Sequence, residues 1–135
     1  MIRIDLDLPN DAQSVPLCRQ IVRVALHQWG VDPDKAADIE LVVSEAAGNA
    51  VRHAYQGGGH RYQVWVELSR ECLRLQVCDQ GQGFSRSEIA DPDRDQPGGR
   101  GLWLMERLAD EVTYYDVADD GVCLRAEFRL PYRSP

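Results

Sequence analysis

Ser44-Glu45-Ala46-Ala47-Gly48-Asn49-Ala50-Val51-Arg52-His53-Ala54-Tyr55 reads as the second half of a helix whose apolar stripe is edged by a carboxylate and an amide. Glu45 and Asn49 stand four residues apart, one turn from each other on the same side of the helix. At about 100° per residue they fall at the rim of the stripe formed by Ile39, Val42, Val43, Ala46, Ala47, Ala50 and Ala54, not opposite it. The small alanines allow a close approach to a sheet. A carboxylate and an amide oxygen at such a rim can reach a bound polar ligand, and hard oxygen donors suit Mg²⁺. An isolated E-x-x-x-N is in the great majority of cases a solvated helix flank, so its meaning depends on what surrounds it.

Upstream, Asp32-Pro33-Asp34 starts this helix, with Asp32 as N-cap and Pro33 in the first helical position. The helix is expected to run to about Tyr55 and stop before Gly57-Gly58-Gly59. Val15, Cys18, Ile21, Val22, Ala25, Leu26 and Trp29 recur at helical spacing, with Gly30 just past the end. Ile2, Ile4, Leu6 and Leu8 alternate with Arg3, Asp5 and Asp7, a half-buried strand ending at Pro9. Downstream, Tyr62 to Leu68 and Leu73 to Cys78 alternate as an antiparallel pair turning near Arg70-Glu71. Gln80 to Gly98 lacks periodicity and reads as a loop. Leu102, Met105 and Leu108 mark a short helix. Val112 to Tyr115 and Leu124 to Leu130 are two last strands, joined at Asp119-Asp120-Gly121. This order predicts an α+β two-layer sandwich: one mostly antiparallel, mixed sheet with helices packed on one face, as a single domain over 1–135.

Composition narrows the function. The chain has 135 residues and a net charge of −7. Such an acidic chain repels phosphate backbones, which argues against direct nucleic-acid binding. No apolar run is long enough to span a membrane, and MIRIDLDLPND has neither a basic n-region nor an apolar h-region, so a cytoplasmic protein is expected. Cys18, Cys72, Cys78 and Cys123 form no C-x-x-C and no zinc spacing, and are expected to be four buried or half-buried thiols.

Two further clusters carry chemistry. Asp79-Gln80-Gly81-Gln82-Gly83-Phe84 begins where a strand ends. Alternating glycines let the backbone pass close to a ligand, while the carboxylate can accept a hydrogen bond from an exocyclic amine such as that of adenine. Gly98-Gly99-Arg100-Gly101-Leu102 precedes the short helix, where glycines expose backbone N–H groups as an anion site and Arg100 adds positive charge. Other motifs are excluded. Position 86 is Arg where a dinucleotide fingerprint needs its third glycine, and no P-loop occurs. Asp91, Asp93 and Asp95 mimic a calcium loop, but Gln96 replaces its glycine and Leu102 its bidentate Glu. There is no G-x-S-x-G, and His27, His53 and His60 are scattered.

Together and in this order, S-E-A-A-G-N-A-V-R-H-A-Y, D-Q-G-Q-G-F and G-G-R-G-L-W-L-M resemble the N, G1 and G2 boxes of the GHKL ATP-binding fold, and within it the bacterial anti-sigma factor serine/threonine kinases. The resemblance covers almost the whole chain. It implies that Asn49 coordinates Mg²⁺, that Glu45 is the base or orienting carboxylate for a substrate hydroxyl, and that Asp79 binds the adenine amino group. It assigns Gly81 and Gly83 to the base pocket, Gly99, Arg100, Gly101 and Leu102 to the phosphate side, and Gln80 to Gly98 to a lid over ATP. It further implies a sigma factor and a STAS-type anti-sigma factor antagonist as partners, and in many members a homodimer. A non-catalytic ATP-gated binding module is the alternative, and a free ATPase a third.

Overall fold

The computed structural model describes residues 1–53, 61–79, 97–117 and 121–131. Their order is β1 (Ile2–Pro9), α1 (Ser14–Trp29), α2 (Pro33–His53), β2 (Arg61–Leu68), β3 (Cys72–Asp79), α3 (Pro97–Leu108), β4 (Glu111–Val117) and β5 (Gly121–Arg129). The strands form one sheet in the order β1-β2-β3-β5-β4, and all four described pairings are antiparallel. The mostly antiparallel sheet expected from the sequence is present, with no parallel pairing among the described residues.

The period of two puts apolar side chains on one sheet face. Val64, Val66 and Leu68 of β2, Leu73, Leu75 and Val77 of β3, and Leu124, Ala126 and Phe128 of β5 are all buried. Leu26 and Val22 of α1, Ile39, Val42 and Val43 of α2, and Leu102 and Met105 of α3 close over them in a single core. The opposite face carries no described helix. There Arg3, Glu67, Arg74 and Glu127 line up across four strands, with ion pairs of 3.4 Å between Arg3 and Glu67 and 2.9 Å between Arg74 and Glu127.

Local chemistry sets most boundaries. Asp32 caps α2 as expected: its Oδ2 accepts the Lys35 N–H at 3.3 Å and its carbonyl accepts the Ala36 N–H at 2.8 Å. Gly30 ends α1 in the left-handed region at φ 78°, its N–H returned to the His27 carbonyl. Ser69 closes the β2–β3 turn by donating its N–H to the Cys72 carbonyl at 2.9 Å. The last two strands begin earlier than the sequence reading placed them, at Glu111 and Gly121, and the boundary nearest the site also differs. α3 begins at Pro97, so Gly98, Gly99 and Gly101 lie inside its first turns instead of preceding it. Proline at a first helical position carries no N–H to leave unpaired and starts the helix before the apolar repeat becomes visible. The predicted end of α2 at Tyr55, the Gly57–Gly59 stop and the Asp119-Asp120 turn lie outside the described residues.

Candidate nucleotide site

Which end of the sandwich each element points to can be worked out from its contacts. The last residue of β3, Asp79, stands opposite Tyr62 at the start of β2 and Val122 at the start of β5. The Tyr62 hydroxyl hydrogen-bonds Ser14 Oγ, which itself donates to the Asp11 carbonyl at 2.7 Å, so α1 starts at this same end. α1 finishes at the other end, where the Trp29 indole N–H donates to the Ser69 carbonyl at 3.0 Å. There α2 begins, with Lys35 Nζ 5.9 Å from the centre of the Phe128 ring. Arg23 of α1 reaches Glu40 of α2 at 2.6 Å across the antiparallel pair. α2 therefore delivers its second half, with Glu45 and Asn49, toward Asp79.

The third element follows the same logic. α3 finishes beside the far end of β5, where the Asp110 N–H donates to the Glu127 carbonyl at 2.9 Å and Asp110 Oδ2 accepts the Arg129 N–H at 2.6 Å. Its N-terminus, with Gly99 and Gly101, is turned back toward the Asp79 end. There the first-turn N–H groups, which have no partner within the helix, and the positive dipole end of a 12-residue helix favour an anion. α2 packs against both α3 and β3, which brings the three elements together.

The polar groups at this end are deep. Asn49 is 4% exposed and Asp79 3% exposed. Asp79 belongs to the helix-facing side of β3, since it alternates with Leu73, Leu75 and Val77. Glu45, one turn before Asn49, is half-buried. Burial of a carboxylate and a carboxamide is costly unless they are satisfied by hydrogen bonds, and it suits groups that read a ligand in a water-poor crevice. The carboxamide oxygen of Asn49 is a hard donor of the kind Mg²⁺ accepts while its other positions stay with water and phosphate. Among the described residues no cluster of three or more His, Cys, Asp or Glu forms a self-sufficient metal cage.

Of the remaining expectations, Gly81, Gly83 and the lid up to residue 96 lie outside the described residues. For Gly99, Arg100 and Gly101 only the backbone is described. Leu102 is 5% exposed and packs in the core, so it can face a ligand only with its main chain. One expectation is corrected: Cys78 and Cys123 are not free thiols but a disulfide joining β3 to β5, while Cys18 and Cys72 are free. The two cysteines are 45 residues apart in sequence, a separation with no motif, and only the β3–β5 register reveals that they are opposite.

Residues 8–128 match the sequence profile of the histidine kinase-like ATPase domain. The chain belongs to that family. It is 32% identical over 124 residues to the serine-protein kinase RsbW of Staphylococcus aureus, spanning 83% of this chain and 78% of that one. The fold superposes on the RsbU and RsbW domains of Rv1364c from Mycobacterium tuberculosis with a TM-score of 0.74 at 24% identity, covering 98% of this chain. This chain spans about a third of that longer protein, 34%. The SiaB–SiaC complex from Pseudomonas aeruginosa gives a TM-score of 0.73 at 20% identity, over 93% of this chain and 88% of the other. The profile match and the 32% identity establish a kinase-type ATPase domain related to RsbW, and the solved structures share its fold. No helix among the described residues is long and apolar enough to cross a membrane.

Proposed function

We propose that the chain is a cytoplasmic, ATP- and Mg²⁺-dependent serine/threonine-protein kinase of the anti-sigma type, which phosphorylates a STAS-type antagonist and holds a sigma factor. The observation that carries the reading is the convergence of Glu45, Asn49, Asp79 and the α3 N-terminus at one end of the sandwich, from three separate elements. The 32% identity to a serine-protein kinase supports the reaction class.

In this reading Asp79 accepts the adenine amino N–H and fixes the base. Gly81 and Gly83 let the backbone approach it. Backbone N–H groups of Gly99, Gly101 and Leu102, with the Arg100 guanidinium, meet the phosphates. Asn49 offers its oxygen to Mg²⁺, which neutralises phosphate charge when bound. Glu45 orients the substrate hydroxyl and takes its proton as the γ-phosphoryl moves from ATP to the Ser or Thr oxygen and ADP leaves. Phosphoryl transfer asks mainly for positioning and charge neutralisation, so this short set of residues suffices.

Calorimetric titration with Mg-ATP, followed by a phosphate-transfer assay on a STAS-type protein, tests this. Asn49→Ala is expected to weaken Mg-ATP binding about tenfold or more. Glu45→Ala is expected to bind ATP normally but to lose about 10²- to 10⁴-fold in transfer, the usual worth of a general base. Wild-type transfer by Glu45→Ala removes its assigned role. ATP binding with no phosphorylated product turns the reading to a nucleotide-gated binding module.

A further inference from the structure

We propose that Cys78–Cys123 is a reversible redox site that sets how firmly the Asp79 end of the sheet holds nucleotide, an inference that rests on the ATP-site reading above. The two cysteines face each other in the β3–β5 ladder with Cα atoms 4.1 Å apart. Their side chains are on the sheet face that carries no described helix. The bond sits one rung from the proposed base-binding residue: Asp79 follows Cys78, Val122 precedes Cys123, and Asp79 pairs with Val122. It also closes a 45-residue stretch that includes the N-terminus of α3. One cross-link thus restrains both the strand that delivers Asp79 and the helix end assigned to the phosphates.

The site is built for exchange. Cys78 lines an open groove of about 590 Å³ with Asp5, Asp7, Gln63, Trp65 and Arg125, whereas Cys123 is 2% exposed. Access therefore selects the Cys78 sulfur. Gln76 Nε2 donates to Cys78 Sγ at 3.4 Å, and the same side chain is held by Arg125 Nη2 at 3.0 Å. A hydrogen-bond donor at sulfur favours the thiolate, the reactive form.

The chemistry balances with two partners of common class. A dithiol reductant attacks Cys78 Sγ as a thiolate, and the Cys78–Cys123 bond breaks. Cys123 leaves as a thiolate and takes up a proton. The second thiol of the reductant then resolves the mixed disulfide, leaving two protein thiols and an oxidised reductant. In the other direction, hydrogen peroxide oxidises the Cys78 thiolate to a sulfenic acid with release of hydroxide, which is protonated to water. Attack by Cys123 expels a second water and forms the disulfide. A disulfide in an ATP-supplied compartment meets such reductants continuously, and those found there are chiefly catalytic or redox-sensing.

The full chain is treated with hydrogen peroxide or with dithiothreitol, its cysteines are mapped by alkylation and mass spectrometry, and Mg-ATP is titrated into both forms. The expected result is a single Cys78–Cys123 link in the oxidised form and ATP binding about fivefold or more tighter than in the reduced form, the scale of a modest coupling. The difference should vanish in the double variant Cys78→Ser with Cys123→Ser and persist in Cys18→Ser with Cys72→Ser. Equal affinities in the two forms, or no Cys78–Cys123 link after peroxide, overturn the proposal. If neither form binds ATP, the nucleotide reading fails. Amide exchange then judges the redox site alone: slower exchange at Asp79 and Val122 on oxidation supports it, and unchanged exchange refutes it.

Discussion

In the proposed reading three residues divide the work by their degree of burial. Asn49 and Asp79 are almost wholly enclosed, which suits a role through fixed hydrogen bonds or coordination; Glu45 is half-buried, which suits a role toward a hydroxyl arriving from outside. Their substitutions should therefore fail differently. Asp79→Asn keeps an acceptor but removes the charge and adds an amide donor that can face a carbonyl. It should reduce the preference for ATP over GTP by about tenfold or more, measured as the ratio of the two dissociation constants. An unchanged ratio would remove Asp79 from base recognition. The identities and helical spacing of Glu45 and Asn49 are visible in the sequence. Their depth is not, because a helical wheel places them at the rim of a stripe without showing what lies across from it.

The elements owe their limits to short-range chemistry, which is why most were legible. Asp32 caps α2, Pro9 ends β1 and Gly30 stops α1, each through an interaction within a few residues. Gly30 offers a clean test. A Cβ there would meet nothing within 4 Å, so any cost of Gly30→Ala comes from the backbone at φ +78°. The expected loss is about 1 kcal/mol, or about 3 °C in Tm, read by thermal unfolding. No change would show that α1 ends some other way. The start of α3 was misplaced because its first turn, Pro97-Gly98-Gly99-Arg100, carries glycines that read locally as loop. The register of β3 with β5 was illegible for a different reason. α3 and β4 intervene, so which residues face each other is fixed by how the whole sheet assembles.

At the scale of the molecule, the core holds groups that must stay protonated. Burial pushes the Cys18 thiol up from its ordinary 9.0 to about 11. Burial likewise raises Tyr62, against a lowering hydrogen bond from Ser14, and raises Tyr114. In each case the folded chain keeps its proton where the unfolded chain has lost it. Stability is thus whole below pH 9 and falls as pH rises. For Cys18 the loss is complete near pH 11 and amounts to about 2–3 kcal/mol. Urea unfolding of the reduced protein between pH 8 and 11 should show this decline. Cys18→Ala should flatten the part that belongs to the thiol, whatever its own packing cost. A pH-independent midpoint would contradict it.

The sequence by itself determined the α+β class, the element order, the caps and the residue types able to hold ATP, because periodicity and capping act over a few residues. It also carried the three motifs that made the family recognisable. Only the tertiary structure decided that α2, β3 and α3 bring those motifs to one end, that Leu102 belongs to the core, and that Cys78 meets Cys123. Each of these depends on strand register and on the direction in which a helix crosses the sheet. Those are set by the shared burial of side chains far apart in the chain, and no local pattern records them.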